Sequence, residues 1–241
     1  MRRSVSEFLR KLPNPAVSAS VSCMDVGHWP EQIHAVENSP TAFFHYDVVD
    51  GVFNRCFILG DVAYRYLHKS SSLPIELHLA VCDPQRYIEV FADYGLDYVA
   101  VHYEIMEDPV RTFQQIRAAG ALPVLAYRAE TPPGEDFVRL ASQCAWVLKL
   151  TVNPGFSGQK IQSAAIEHIQ TMAVRLRTSG CSTRIQADGN VNKQTIGRLR
   201  QAGASIFTGG TSGVFNQKES VCENVKKLMV AASYESEERV I

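Results

Sequence analysis

Short apolar stretches alternate with amphipathic stretches of helical length along almost the whole chain, and this alternation constrains the fold more than any other feature. The apolar stretches, rich in β-branched and aromatic residues, predict strands at 16–22, 42–47, 75–81, 98–102, 122–127, 146–152, 184–187 and 206–209. The amphipathic stretches predict helices at 29–36, 57–67, 84–94, 109–119, 135–141, 164–177, 193–202 and 219–232. Strands that alternate with helices are typical of parallel α/β proteins.

Eight such units in 241 residues have the size of a (β/α)8 TIM barrel. A doubly wound sheet usually has fewer strands and often a glycine-rich fingerprint after the first strand, which this sequence lacks. We therefore predict a single-domain barrel at 14–236, with an N-terminal extension at 1–13 and a C-terminal tail at 237–241. Phe8, Leu9 and Leu12 make the extension weakly amphipathic, which suits a cover over the barrel bottom or a contact with another subunit.

The overall charge is nearly balanced, because 24 Lys and Arg residues stand against 25 Asp and Glu residues. We therefore expect neither nucleic acid nor a membrane as a partner, and a small molecule instead. Six cysteines occur singly, without a C-x-x-C pair, which is typical of reduced thiols in the cytoplasm. The N-terminus lacks the apolar run of a signal peptide, so we predict a cytoplasmic protein.

The segment 43–51 predicts a strand that runs directly into a glycine turn. His45 and Asp47 are two residues apart, so on a strand both side chains point the same way. Together they suit a shared divalent metal or an acid/base pair. A capping aspartate beside a hydrogen-bonded histidine explains this segment, taken alone, equally well.

In a TIM barrel the functional groups come from the carboxyl ends of the strands. Ser20 and His78 lie at the ends of the first and third predicted strands, and Asp188 follows the seventh. With His45 and Asp47, two histidines and two carboxylates therefore converge on one mouth of the barrel. This mixture of nitrogen and oxygen donors suits Zn, Fe, Mn or Co and leaves room for substrate oxygens.

Glycine-rich turns at 153–159 and 209–213 follow the sixth and eighth predicted strands, and Gly189 follows the seventh. Glycine allows backbone N–H groups to approach an anion closely, and phosphate sites near the last strands are frequent in TIM barrels. The three turns could share one phosphate. Each turn taken alone could equally be a simple tight turn.

Several motifs, in their order along the chain, resemble those of the ribulose-phosphate 3-epimerase family. They are HYDVVDG at 45–51, LHL at 77–79, HYE at 102–104, TVNPGFSGQ at 151–159, DGN at 188–190 and AGA at 202–204. The stretches SVSCMD at 20–25 and GGTSGVF at 209–215 look closest to the allulose-6-phosphate 3-epimerase branch. The resemblance implies a barrel of the ribulose-phosphate-binding type.

The resemblance also implies a function, the epimerisation at C3 of a phosphorylated ketose. The substrate would be D-ribulose 5-phosphate, giving D-xylulose 5-phosphate, or allulose 6-phosphate, giving fructose 6-phosphate, through a metal-stabilised ene-diolate. Asp47 and Asp188 would be the two acid/base catalysts. One divalent metal ion (Zn, Fe, Mn, Co or Mg) would be bound by His45, Asp47, His78 and Asp188. A homo-oligomer, either a dimer or a hexamer, would be the expected assembly.

The resemblance places the remaining substrate contacts at a strand end and in the three turns. These contacts are Ser20, His78, Gly155, Phe156, Ser157, Gly158, Gly189, Asn190, Gly210, Thr211 and Ser212. The chain departs from the family at three methionines that cover the reacting carbons, which are replaced here by Val49, Ala80 and Leu150. These smaller or stiffer side chains predict a wider pocket that accepts a six-carbon as well as a five-carbon ketose phosphate.

Two alternatives stay open. Lys149, on the sixth predicted strand, could form a Schiff base as in a phosphosugar aldolase. Strand alternation, however, turns it outward toward the helices, where a snorkelling or salt-bridged lysine is the expected state. A related branch of phosphosugar decarboxylases and synthases carries Asp-x-Lys on the third strand, where this chain has Glu76 and His78. The second alternative is a non-catalytic relative that binds a phosphosugar, made conceivable by the altered lid.

Overall fold

Eight parallel strands close into a barrel in the computed structural model, which describes residues 5–155 and 158–233. The strands are β1 (Ala16–Ser20), β2 (Phe43–Asp50), β3 (Phe57–Ile58), β4 (Ile75–Ala80), β5 (Tyr98–His102), β6 (Leu122–Tyr127), β7 (Trp146–Leu150), β8 (Arg184–Asp188) and β9 (Ile206–Gly209). All except β3 run parallel to their neighbours, and β1 pairs with both β2 and β9. The predicted single-domain (β/α)8 barrel is confirmed.

Helices connect the strands and cover the outside of the barrel. They are α1 (Val5–Lys11), α2 (Trp29–Glu37), α3 (Asp61–Ser70), α4 (Pro84–Ala92), α5 (Pro109–Ala118), α6 (Phe137–Ala141), α7 (Ser163–Thr178), α8 (Ile196–Ala202) and α9 (Val221–Ser233). Proline begins α4 and α5, and the preceding Asp83 and Asp108 accept hydrogen bonds from backbone N–H groups of the first turn. Among the residues described, no helix combines the length and the apolar character needed to cross a bilayer.

The helix predicted at 57–67 is wrong in its first part. Phe57 and Ile58 form β3, which pairs antiparallel with the end of β2. The chain reverses because Oδ1 of Asp50 accepts hydrogen bonds from the backbone N–H groups of Val52 and Phe53, at 2.9 and 2.8 Å. The helix begins only at Asp61, and the hairpin projects beyond the carboxyl end of the barrel.

An aromatic layer fills the lower end of the barrel interior, where Phe43, Tyr98 and Trp146 are fully buried. Phe8 of α1 packs against two of these rings, with centroid distances of 6.4 Å to Phe43 and 6.0 Å to Tyr98. The helix of the predicted extension therefore covers the bottom of the barrel. The division of the chain at residues 13 and 236 stays a prediction, and the tail at 237–241 lies outside the described residues.

Candidate active site

The four predicted metal ligands lie together at the carboxyl ends of three barrel strands. His45 and Asp47 belong to β2, His78 to the neighbouring β4, and Asp188 ends β8. The register between β2 and β4 sets Asp47 directly opposite His78. One ligand atom from each of the four residues lies within 4.8 Å of the others. The strands therefore bring these side chains to one point at the mouth of the barrel.

The carboxylate of Asp47 is the centre of this cluster. Its Oδ1 lies 2.9 Å from Nε2 of His45 and 2.9 Å from Nδ1 of His78. Its Oδ2 accepts hydrogen bonds from the hydroxyls of Ser22, at 2.8 Å, and Ser20, at 3.3 Å. Partners on both oxygens fix the orientation of this carboxylate. The sequence analysis singled out Ser20 and missed Ser22, which follows the end of β1 in a short 3-10 turn.

The two aspartates of the cluster have opposite proton affinities. Burial raises the pKa of Asp47, but the charge of His45 and hydrogen bonds from both histidines outweigh burial and hold that pKa well below its usual value. Burial raises the pKa of Asp188 to about 6, because the charge of His45 offsets burial only in part and the charge of Asp47 adds to the rise. Burial lowers the pKa of His45, yet the surrounding carboxylates outweigh it and raise this pKa well above its usual value. One aspartate therefore suits the role of a base, and the other that of an acid.

The donor set at this point fits a divalent cation. Two imidazole nitrogens and the oxygens of two carboxylates converge, and the histidine nitrogens face Oδ1 of Asp47 rather than solvent. Mixed nitrogen and oxygen donors suit Zn, Fe, Mn and Co, whereas Mg prefers sites built mainly from oxygen. His45, Asp47, His78 and Asp188 therefore form a group that could hold a metal ion.

A fully buried carboxylate, that of Glu76, holds His45 from inside the barrel. Its Oε2 lies 2.5 Å from Nδ1 of His45 and accepts a hydrogen bond from Nε2 of Gln186 at 2.8 Å. Its Oε1 accepts one from the indole N–H of Trp146 at 2.7 Å. An acceptor on Nδ1 leaves Nε2 as the nitrogen that faces the cluster. The sequence analysis assigned Glu76 no role in the site, although strand alternation places it on the same face as His78.

A second histidine and carboxylate stand behind His78. Nε2 of His78 lies 2.9 Å from Nε2 of His102, and Nδ1 of His102 lies 3.2 Å from Oε2 of Glu104. Burial lowers the pKa of His102 to about 4, although the hydrogen bond to Glu104 opposes the fall. Burial raises the pKa of Glu104, but the hydrogen bond and charge of His102 outweigh it and bring this pKa to about 2. At neutral pH an uncharged imidazole therefore lies between His78 and an ionised carboxylate.

The cluster opens into a cavity of about 430 Å³, a size within the usual range for small-molecule sites. Strand-end residues line its floor: Ser20, Asp47, His78 and Asp188. Residues of all three predicted phosphate-binding turns line its wall: Gly155, Gly158, Gly189, Asn190, Gly210, Thr211 and Ser212. The structure therefore brings together the residues that the sequence placed around one substrate. Phe156 and Ser157, also predicted as contacts, lie outside the described residues.

The turn after β8 requires its glycine. Gly189 has a φ of +117°, and a Cβ there would lie 2.6 Å from Cγ2 of Val152. The carbonyl of Gly189 accepts a hydrogen bond from the hydroxyl of Thr151 at 2.6 Å. The next residue, Asn190, also has a left-handed φ, of +48°, which asparagine tolerates better than most residues. This local conformation lets the turn pass close to the loop after β7.

The hairpin of β2 and β3 covers one side of the cavity. The guanidinium of Arg128, in the loop after β6, stacks over the ring of Phe53 at 3.8 Å and donates from Nη2 to the carbonyl of Phe53 at 3.0 Å. Asn54 donates from Nδ2 to the carbonyl of Pro154, in the loop after β7. The hairpin is therefore fastened to two other loops of the mouth.

Val49, Ala80 and Leu150, the three departures predicted from the resemblance, all line the cavity. Val49 and Ala80 pack in one apolar cluster with Phe53 of the hairpin. Leu150 belongs to a separate small cluster on another side.

Lys149 lies on β7 but does not line the cavity, as the strand alternation predicted. The expectation of a snorkelling or salt-bridged side chain is wrong, because Lys149 is fully buried and its Nζ donates to the carbonyls of Arg128, at 2.5 Å, and Thr131, at 2.6 Å. Burial lowers its pKa to about 8 against the charges of Glu104 and Glu130. A low pKa alone would suit a Schiff-base lysine, but this amine points away from the cavity.

Comparison with known proteins decides the family. The sequence model of the ribulose-phosphate 3 epimerase family matches residues 16–215. The chain belongs to this family. It is 32% identical to the ribulose-phosphate 3-epimerase of Methanocaldococcus jannaschii, over 90% of each chain. It is 30% identical to that of Bacillus subtilis, over 86% of this chain and 96% of the relative. The predicted enzyme class, an epimerase acting on carbohydrate phosphates, is confirmed by this membership.

Solved structures agree on the fold. A 3-hexulose-6-phosphate synthase superposes with a TM-score of 0.62 at 13% identity, over 90% of this chain and 99% of that chain. A mutant tryptophan synthase α-subunit from Pyrococcus furiosus superposes with a TM-score of 0.63 at 13% identity, over 92% of this chain and 98% of that one. At such low identity these similarities show the fold alone.

Proposed function

We propose that this member of the family inverts the configuration at C3 of a phosphorylated ketose. The substrate is either D-ribulose 5-phosphate, interconverted with D-xylulose 5-phosphate, or allulose 6-phosphate, interconverted with fructose 6-phosphate. The observation that carries the proposal is the pair formed by Asp47 and Asp188, two carboxylates that line one cavity and converge on the same point with His45 and His78. A reaction that removes a proton from one face of a carbon and returns one to the other face needs such a pair.

The two aspartates divide the proton transfers. In one direction the ionised Asp47 removes the proton from C3, and Asp188, which binds its own proton more tightly, delivers a proton to the opposite face. In the reverse direction the roles exchange. General acid and base groups of this kind typically contribute about 10² to 10⁴ each in rate. Ser20 and Ser22 hold Oδ2 of Asp47 and so keep the base oriented.

We further propose that His45, Asp47, His78 and Asp188 hold one divalent cation, of Zn, Fe, Mn, Co or Mg. Such a cation supplies Lewis-acid stabilisation of the negative charge that develops when the proton leaves C3. The glycine turns around Gly155, Gly189 and Gly210 bind the phosphate in this proposal. A held phosphate fixes the sugar so that C3 lies between the two carboxylates.

Two competing functions receive less support. A Lys149-dependent aldolase requires an amine in the cavity, and Nζ of Lys149 is bonded to carbonyls on the other side of β7. A non-catalytic phosphosugar-binding protein would have no need for two carboxylates and two histidines that converge on one point of the cavity. A cytoplasmic location and a dimeric or hexameric assembly complete the proposal.

An exchange experiment in D₂O tests this function. The metal-loaded protein is incubated separately with ribulose 5-phosphate and with allulose 6-phosphate, and the C3 proton is followed by NMR. We expect loss of the C3 proton signal together with the appearance of the epimer for at least one of the two sugars. A binding protein would leave both spectra unchanged, and that result would refute the proposal.

A further inference from the structure

The ring of His78 has two nitrogens with different neighbours. Nδ1 faces the candidate metal cluster, 2.9 Å from Oδ1 of Asp47. Nε2 faces away from the cluster, 2.9 Å from Nε2 of His102. Two imidazole nitrogens at this distance share one proton, so one of them donates and the other accepts. Without a cation Nδ1 donates to Asp47, so a metal ion on Nδ1 would take the place of that proton, and the proton left on the ring must then lie on Nε2.

The contacts of Glu104 show which of the two histidines is the donor. Oε2 of Glu104 lies 3.2 Å from Nδ1 of His102, and Oε1 accepts the backbone N–H of Arg128 at 2.7 Å. An ionised carboxylate is an acceptor only, so Nδ1 of His102 must carry a proton. Nε2 is then the nitrogen of His102 that can accept from His78, and a donor on Nε2 of His78 is the tautomer that a cation on its Nδ1 requires.

We propose that His102 and Glu104 are positioning residues that fix the Nε2–H tautomer of His78 and so keep Nδ1 available to bind the divalent cation. The inference rests on the metal site in the proposed function. It adds a hydrogen-bonded chain from His78 through His102 to Glu104 that controls the tautomer of His78. His45 has its own carboxylate in Glu76. On the side away from the cluster, His78 reaches a carboxylate only through a second imidazole.

The surroundings keep this arrangement rigid. His102 is fully buried, and the ring of Phe53 lies over it with a centroid distance of 4.7 Å. Arg128 both stacks on Phe53 and donates its backbone N–H to Glu104. The carbonyl of Arg128 is held in turn by Nζ of Lys149. A ring packed in this way cannot turn freely to exchange its two nitrogens.

The variant Glu104→Gln tests the proposal, because it replaces one of two acceptor oxygens by an NH₂ donor. The backbone N–H of Arg128 is always a donor, so the side-chain oxygen of the glutamine stays on it and the NH₂ group faces Nδ1 of His102. Nδ1 must then accept, and the proton of the His102 ring moves to Nε2. His78 must then carry its proton on Nδ1. The control is Asp97→Asn, the same chemical change at a buried carboxylate that accepts the backbone N–H of Ile75 at 3.0 Å, at the opposite end of the barrel.

Zn²⁺ affinity, measured by competition with a chromophoric chelator, gives the first result. We expect Glu104→Gln to bind Zn²⁺ about 10- to 100-fold more weakly than wild type, and Asp97→Asn to bind it as wild type does. Equal weakening in both variants, or Glu104→Gln within about threefold of wild type, would overturn the proposal. A wild type that binds no Zn²⁺ would overturn the metal site and the inference together.

The ¹⁵N spectrum of histidine in the Zn²⁺-loaded wild type gives a second result that needs no variant. We expect a protonated Nε2 and an unprotonated, metal-bound Nδ1 on His78. Protonation of Nδ1 would refute the tautomer assignment even if Zn²⁺ binds tightly, so the inference can fail while the proposed function stands.

Discussion

Replacing Lys149 by Met tests the unusual burial of this amine through the pH dependence of stability. The pKa of Lys149 is about 8 in the folded protein, below its usual value of 10.5, chiefly because burial disfavours the ammonium ion. Between these two pH values the unfolded chain binds more protons than the folded one. The stability that Lys149 contributes therefore rises as the pH rises from about 8 toward about 10.5.

The size of the effect follows from the pKa difference. One pKa unit corresponds to about 1.4 kcal/mol, so a fall from 10.5 to about 8 corresponds to about 3 kcal/mol when the whole range is crossed. Lys149→Met removes this titration and also the two hydrogen bonds to carbonyls; the bonds are stronger from the ammonium than from the neutral amine, and the folded-state pKa already includes that difference. The unfolding free energy of wild type minus that of Lys149→Met should therefore increase by about 2 to 3 kcal/mol between about pH 7.5 and about pH 10.

Urea unfolding of both proteins at the two pH values measures this change, and titration of all other groups cancels in the difference. The exposed Lys69 on α3 provides the control, since Lys69→Met should give the same difference from wild type at both pH values. If the Lys149→Met difference changes by less than about 0.5 kcal/mol, the amine is solvated and our account of its burial is wrong.

Three further predictions concern the site. Asp188→Asn should lower the rate of C3 exchange by about 10² or more while phosphosugar binding survives, and calorimetric titration beside the D₂O assay separates the two effects. The double variant His45→Ala with His78→Ala should lose its bound divalent metal, and metal analysis that finds the same stoichiometry as in wild type would contradict the assignment. Longer side chains at the three methionine positions should raise the ratio of kcat/KM for ribulose 5-phosphate to that for allulose 6-phosphate. These substitutions are Val49→Met, Ala80→Met and Leu150→Met. Wild type that already rejects the six-carbon sugar by about 10⁴ would refute the wider pocket.

The barrel and the four candidate ligands could be predicted because both depend on local periodicity. His45 and Asp47 share a face through the two-residue repeat of one strand, and a TIM barrel always collects its strand ends at one mouth. Glu76 and His102 depend instead on which neighbour lies across the sheet, and that register is set by the whole closed barrel. Strand alternation gives the face on which Glu76 lies but not the side chains that it meets, so the contacts of these supports could not be predicted from local patterns.

The hairpin of β2 and β3 was not predicted, for a related reason. Phe57 and Ile58 continue the apolar pattern of the following helix, so periodicity alone joins them to it. In the structure Asp50 reverses the chain first, and the two residues pair with β2. A single side chain that accepts two backbone N–H groups thus outweighs a helical pattern over the next turn.

The contacts of Phe53 link the proposed substrate pocket to the proposed metal site. Phe53 packs against Val49 and Ala80, which line the cavity, and its ring also contacts the ring of His102. A change in the lid that displaces Phe53 therefore also loosens the imidazole that orients His78. Residues that share such a contact couple energetically, whereas distant ones act additively. The four candidate ligands lie on strands, whereas Val49 and Ala80 of the cavity wall pack against Phe53 of the hairpin, which also contacts His102. If His102 supports His78 as we propose, a pocket that admits a larger ketose must still keep an aromatic ring beside His102.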